Sequence, residues 1–161
     1  MLKKIFIAAI SLGIFIGCKS KSALNYSEEI VKKEQSLSAD ITTTEEKVKA
    51  FLAKEQYDSI AAAASRMENL VEVKLTEVKD LPAPDLKEAP AFKDAAIKYF
   101  RFIKSMYTGY REFGTASTAE AREIEMDKLR SLVLLKTDAI SSMQRAQRKF
   151  AEANGFKLEG N

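Results

Sequence analysis

The sequence contains no histidine, no tryptophan and only one cysteine among its 161 residues. Without histidine, the Ser-His and Cys-His nucleophile pairs are excluded, and so is an imidazole-ligated zinc, di-iron or haem site. A single cysteine forms no internal disulfide, CxxC redox pair or cysteine-rich zinc site. Glycine-rich phosphate loops, GxSxG, SxxK and EF-hand patterns are missing from the sequence too. We therefore expect no enzyme, no cofactor and no metal site.

The net charge of +3 is not a nucleic-acid signature. Two of the positive charges, Lys3 and Lys4, stand at the very start of the chain, and the rest holds 24 Lys and Arg against 23 Asp and Glu. A nucleic-acid-binding protein normally shows a basic excess on one face. We expect no nucleic-acid partner, and the length suits one domain with a hydrophobic core.

The first eighteen residues have the composition of a secretory signal. Met1–Lys4 is a short basic segment, and Ile5–Ile16 is a mostly apolar run of twelve residues. Gly17 then offers a small residue next to the cysteine. This order is typical of a signal peptide, because the apolar run is shorter than the ~20 residues that a membrane-spanning helix needs.

The junction of Gly17 and Cys18 resembles the lipobox of bacterial lipoproteins. In that family the cysteine thiol receives a diacylglycerol, the peptide is cut before the cysteine, and the new amino terminus carries the anchor. The resemblance implies cleavage between Gly17 and Cys18, removal of residues 1–17 and lipid attachment at Cys18. Phe15 departs from the pattern, since Leu is usual there. The alternatives are an ordinary secretory signal with an incidental cysteine, or a buried N-terminal helix.

After the cysteine, residues 18–23 are interpreted as a lipidated residue followed by a short polar tether, and residues 24–161 as the folded part. The implied partner is a membrane, held through the N-terminal lipid, with the folded part outside the cytoplasm. Lys19 replaces the Asp that commonly follows the lipidated cysteine of inner-membrane-retained lipoproteins. In a host with two membranes this favours the outer one.

The mature sequence favours helix throughout. All three prolines fall within the nine residues 82–90. The stretches on either side are rich in Ala, Glu, Lys and Leu and lack alternating strand patterns. Short connections predict antiparallel neighbours. We therefore predict an all-α fold, an antiparallel up-down-up-down four-helix bundle whose C-terminus and proline-rich connection share the end where the first helix begins. The predicted helices are Leu24–Lys54, Ser59–Lys79, Ala91–Phe113 and Thr118–Asn154.

Each predicted helix has one apolar stripe with residues three or four apart, the spacing of a core-facing helix. Asp58 and the pair Ser117 and Glu120 are predicted to cap helix starts, and Gly155 to end the last helix in the left-handed conformation. The inward residues are Tyr26, Ile30, Leu37, Ile41, Val48 and Phe51; Ile60, Ala64, Met67, Val71 and Val78; Phe92, Ala96, Tyr99, Ile103, Met106, Tyr110 and Phe113; and Leu132, Leu135, Ala139, Met143, Ala146 and Phe150.

Polar residues fall within these stripes at Thr44, Lys74 and Lys128. An inward lysine must pair with a carboxylate, extend its ammonium to water or lose its charge. The alternative is a polar pocket inside the bundle. Matching residues by height predicts Lys74 beside Glu34 or Asp40, and Lys128 beside Glu45 or Glu46.

Three apolar residues lie off the stripe of the last helix, namely Met126, Val133 and Leu134. They predict an outer patch for a protein partner or a second copy of the chain. The oligomeric state is left open.

The ending Gln147-Arg-Lys-Phe-Ala-Glu-Ala-Asn-Gly-Phe156, together with the signal and four helices, is similar to small helical lipoproteins of spirochaetes and Bacteroidota-type bacteria. That family has no established activity, so the resemblance implies location and fold and adds no site. It implies a membrane-anchored envelope lipoprotein that acts as a non-enzymatic interaction or structural module. The alternative is a binder of a small apolar ligand inside or between the helices.

Overall fold

A computed structural model describes residues 17–158, and every regular element in that range is a helix. The all-α prediction is thereby confirmed, and the arrangement fits a four-helix bundle because α1 and α2 follow one another as a single rod. The predicted signal peptide comprises residues 1–17, and its residues 1–16 lie outside the described residues. The helices are α1 (Cys18–Gln35), α2 (Ser38–Leu52), α3 (Tyr57–Asp80), α4 (Ala89–Thr115) and α5 (Ala119–Asn154).

The first rod is interrupted at Ser36 and Leu37, where a continuous helix was predicted. The Ser36 hydroxyl donates to the Lys33 carbonyl at 2.8 Å. The N–H of Leu37 donates to the Glu34 carbonyl, three residues back rather than four. Serine side chains compete with the backbone for helix carbonyls, which explains the break.

The polar tether predicted before Leu24 is helical. The helix α1 begins at Cys18, and the N–H of Lys21 donates to the Gly17 carbonyl. Ala23 is fully buried and Leu24 nearly so. These two residues fix this end of α1 to the core. Residues 18–23 belong to the helix, so they are not the separate linker that was predicted.

Two predicted helix starts differ from the observed ones. The helix α3 starts at Tyr57, so Asp58 lies in its first turn and not at the cap. The Tyr57 ring packs edge-on against Phe113, which fixes Tyr57 as part of the helix. At α5 the capping hydroxyl belongs to Thr118, which accepts from the Ala121 N–H at 3.1 Å. The predicted cap at Ser117 is wrong by one residue.

The end of α5 agrees with the prediction. Gly155 has a φ of +69°, a left-handed conformation that costs glycine little. Its neighbour Phe156 donates its N–H to the Ala151 carbonyl and is buried against the Phe150 ring, with the centroids 5.7 Å apart.

Consecutive rods run antiparallel. Asn154, at the end of α5, donates to the Lys87 carbonyl just before α4 at 2.9 Å, and a Cβ placed on Gly155 lies 3.5 Å from Ser20 Oγ in α1. The start of α1, residues 81–88 and the end of α5 therefore share one end, as predicted; we call it the Cys18 end. The opposite end, with the connections at 53–56 and 116–118, is the turn end.

The largest part of the core lies toward the Cys18 end. Phe92 and Phe150 stack with centroids 5.3 Å apart, and Tyr26 contacts both rings edge-on. A smaller cluster at the turn end joins all four rods. It consists of Val48, Ile60, Phe113 and Leu129.

The predicted stripes of the first three helices face inward, with most of their residues buried. In α5 the prediction is right for Met143 and Phe150 but wrong for Leu135, which is 53% exposed. The helix α5 packs along α4 and against α1, whereas α2 packs against α3. The middle of α5 therefore has a free flank where the sequence predicted a neighbour.

Candidate functional surfaces

The residue predicted to carry a lipid stands at a terminus of the bundle. Cys18 is the first residue of α1, directly after the exposed Gly17. The end of α5 lies beside the same turn, through Gly155 and Ser20. A group attached at position 18 therefore lies at the Cys18 end, and the turn end lies farthest from it.

Between residues 17 and 158, none of the helices combines the length and the apolar character needed to traverse a lipid bilayer. In the same range, His, Cys, Asp and Glu form no group of three or more that is arranged to hold a metal ion.

The predicted outer patch on α5 is found in part. Leu134 is 81% exposed and Val133 51%. Met126 is only partly exposed and packs against the turn-end cluster. The prediction that Met126 belongs to the patch is wrong, because near the turn end the Met126 side of α5 faces the cluster formed with α2 and α3. Leu135 replaces it, so the apolar patch consists of Val133, Leu134 and Leu135.

Charged residues flank the apolar patch along the outer face of α5. On the N-terminal side Arg130 bonds to Glu123 at 3.1 Å and to Asp127 at 2.6 Å. All three side chains are more than half exposed, so these pairs add little to the stability of the monomer. On the C-terminal side the outer face carries both signs of charge, with Asp138, Arg145, Arg148, Lys149 and Glu152.

The two lysines predicted to point inward pair with carboxylates of their own helix. Lys74 is half-buried, but the Lys128 side chain is 60% exposed, so its inward placement is wrong. Lys74 donates to Glu77 at 2.8 Å, and Lys128 donates to Glu125 at 2.8 Å. Both pairs are three residues apart, and such neighbours on one helix meet without any tertiary contact. The predicted partners Glu34, Asp40, Glu45 and Glu46 are therefore wrong.

Glu34 instead accepts a hydrogen bond from the Tyr99 hydroxyl at 2.9 Å, which joins α1 to α4. Burial raises the pKa of the Glu34 carboxyl, and the bond from Tyr99 only partly offsets this. Burial and the neighbouring carboxylate also raise the pKa of Tyr99 far above its usual value.

A second carboxylate lies near the free flank of α5. Burial raises the pKa of Glu45, and the charge of Lys136 opposes the shift. The tyrosines Tyr107 and Tyr110 face this carboxylate, and burial followed by its charge raises the pKa of both. Sequence reasoning considered Glu45 only as a partner for Lys128 and missed this cluster. The sequence feature that could have revealed the cluster is Thr44, the neighbour of Glu45 and a polar residue within an apolar stripe.

The hydroxyl of Tyr26 is buried and has no hydrogen-bond partner in the range that the structure describes. Burial raises its pKa to about 12, so it stays protonated in the cell. Its ring lies against two phenylalanines, which is the environment of a core residue.

Besides their apolar contacts, α3 and α4 are joined by ion pairs. Glu68 accepts from Arg111 Nε and from the Thr108 hydroxyl, each at 2.7 Å. Burial favours a higher pKa for Glu68, but these two bonds outweigh it and lower the pKa. Lys104 and Glu72 form a similar pair at 2.7 Å. These carboxylates stay ionised and join two helices, and they do not have the raised pKa that general acid catalysis requires.

Comparison with known proteins yields no relative: no protein-family model, no curated protein and no solved structure matches this chain.

Proposed function

We propose that this protein is a bacterial envelope lipoprotein that acts as a non-enzymatic interaction or structural module. Its signal peptide is removed before Cys18, and the lipid on that residue holds the helical bundle at a membrane. The folded part lies outside the cytoplasm, and in a host with two membranes it is held at the outer one.

The observation that carries the proposal is the order of the first eighteen residues, from Lys3 and Lys4 through the apolar run to Gly17 and Cys18. Two supports come from the fold. The helix α1 starts at the cysteine, so an anchor there adjoins the bundle with no intervening linker. Each buried CH₂ of an acyl chain contributes ~0.8 kcal/mol, and two or more chains give stable attachment.

The shape of the bundle supports an interaction role. The helix α5 has 36 residues and is about 54 Å long at 1.5 Å per residue. With the anchor at the Cys18 end, such a rod presents its long faces and its turn end to other macromolecules.

The packing of the interior favours this role over binding of a small apolar ligand. A ligand inside the bundle needs space between the helices. Toward the Cys18 end, the rings of Phe92, Phe150 and Tyr26 pack on one another in that position.

The test is Cys18→Ser in cells fed with labelled palmitate. We expect the label in the wild-type protein, a mature mass that begins at Cys18, and recovery in the membrane fraction. The variant loses the label and keeps its signal peptide. Ser20→Ala is the matched control, because it changes a neighbouring residue in the same helical turn and leaves the lipid site intact.

Unlabelled wild-type protein, or a Cys18→Ser variant that is processed and fractionated as the wild type is, contradicts the proposal. The location is tested by separating the membranes on a density gradient. If the residue after the cysteine directs sorting, Lys19→Asp moves the protein from the outer to the inner membrane. An unchanged distribution rejects that part alone.

A further inference from the structure

The exposed apolar patch lies near the middle of the longest helix. Leu134 is the most exposed of the large hydrophobic residues between 17 and 158, at 81%, and Val133 and Leu135 each expose about half their surface. A single exposed leucine is ordinary on a protein surface. Successive residues of a helix point about 100° apart, so Val133 and Leu135 border the face of Leu134 on its two sides. Exposed apolar side chains grouped around one position form a candidate contact surface.

Charges of opposite sign stand at matched distances on either side of Leu134 on the same face. Glu120 stands 14 residues before Leu134 and Arg148 stands 14 residues after it, while Glu123 and Arg145 stand 11 residues before and after. Both spacings are close to whole numbers of helical turns, so these residues share a face with Leu134. Arg130 and Asp138, four residues before and after Leu134, also carry opposite signs and are exposed. At these three distances from Leu134 the two sides of the face therefore carry opposite charges.

This arrangement is self-complementary when two copies run in opposite directions. We propose that the outer face of α5 binds the same face of a second copy of this chain, antiparallel, with Leu134 against its own counterpart. In that register Glu120 lies at the height of the partner's Arg148, and Glu123 at the height of the partner's Arg145. A two-fold axis at Leu134 makes the contact closed, so assembly stops at a dimer.

Parallel pairing is disfavoured by the same charges. It sets Glu120 beside Glu120 and Arg148 beside Arg148, and like charges across an interface are repulsive. The antiparallel dimer also has a geometric consequence. Its two Cys18 ends lie at opposite ends of the pair. Two copies anchored in the same membrane form this pair only with their rods lying along its surface, whereas the contact between the two α5 faces itself involves no lipid.

Disulfide cross-linking tests the register. The full-length protein, extracted from membranes in mild detergent, is prepared with Leu134→Cys, Glu120→Cys or Arg148→Cys and oxidised. We expect Leu134→Cys to form a dimer by itself. Glu120→Cys and Arg148→Cys should form a dimer only when the two variants are mixed. The wild-type protein is the control for cross-linking through Cys18, whose thiol is free only where it carries no lipid.

Each opposite result overturns the proposal. Self-cross-linking of Glu120→Cys and Arg148→Cys without the mixed product indicates parallel pairing. If Leu134→Cys forms no dimer above the wild-type background, the face does not bind a second copy. If it cross-links only to another protein, that protein occupies the face instead.

Sedimentation supplies the second measurement. Leu134→Asp should weaken the dimer at least tenfold, because the central apolar contact becomes two opposed carboxylates. Val73→Asp, at a residue of α3 that is 54% exposed, is the matched control and should sediment as the wild type does. Circular dichroism should show unchanged helix content in both. A wild-type monomer at tens of micromolar, or a dimer that survives Leu134→Asp, refutes the contact.

Discussion

Two glycines of α4 predict how closely its neighbours approach. A Cβ placed on Gly114 lies 2.6 Å from both the Ala61 nitrogen and the Tyr57 carbonyl oxygen, which are backbone atoms of α3. A Cβ placed on Gly109 lies 2.7 Å from Leu129 Cδ2 on α5. The first obstacle is a rigid helix backbone, and the second is the tip of a side chain that changes rotamer.

Alanine at the two positions should therefore have different effects. Glycine within a helix costs roughly 1 kcal/mol relative to alanine, so each substitution gains up to that amount. Overpacking a fitted interior costs ~1–3 kcal/mol, and the upper value applies where only the backbone can move. We expect Gly114→Ala to destabilise the fold by about 2 kcal/mol and Gly109→Ala to leave stability within about 1 kcal/mol of the wild type.

Urea and thermal unfolding, followed by far-ultraviolet circular dichroism, measure the difference. A loss of 2 kcal/mol lowers the melting temperature by roughly 4–8 °C for a chain of this size. Gly109→Ala is the control, because it makes the same gain in helix propensity against a side chain that can move. Equal effects of the two substitutions, or a stabilised Gly114→Ala variant, would refute the close contact between the start of α3 and the end of α4.

Two further perturbations test the core and the buried carboxylate. Phe150→Ala removes a ring that contacts those of Tyr26 and Phe92, so it should cost ~3–5 kcal/mol in urea unfolding; a loss below about 1 kcal/mol rejects that packing. Glu34→Gln should stabilise the fold at pH 7. The pKa of the Glu34 carboxyl is raised in the folded state, so ionising it costs folding stability as the pH rises above its unfolded-state pKa of about 4.3, and glutamine removes that cost. The gain should vanish at acidic pH, where Glu34 is protonated in both states, and an equal gain at both pH values contradicts the burial of Glu34.

The successes of sequence reasoning are local. Apolar residues three and four apart predicted the helices and the inward faces of the first three rods, since those spacings place side chains on one face whatever the neighbour is. Gly155 predicted the end of α5 for the same kind of reason, because its left-handed backbone needs no tertiary contact. Short connections predicted the antiparallel order and the shared Cys18 end.

The failures concern contacts between helices. Lys74 bonds to Glu77 of its own helix, and Glu34 bonds to Tyr99. Met126 turns to the turn-end cluster while Leu135 stays exposed. Each of these outcomes depends on the angle and height at which two helices meet. Sliding one helix by a single residue gives a side chain a different partner.

The amino-acid order by itself determined the helical class, most helix limits and the position of the only cysteine at the start of the first rod, because helix propensity, capping and periodicity act over a few residues. Tertiary structure alone decided that α2 packs on α3 and leaves a flank of α5 uncovered. Apolar periodicity marks a face for burial, but only the packing of neighbouring helices determines whether that face is covered.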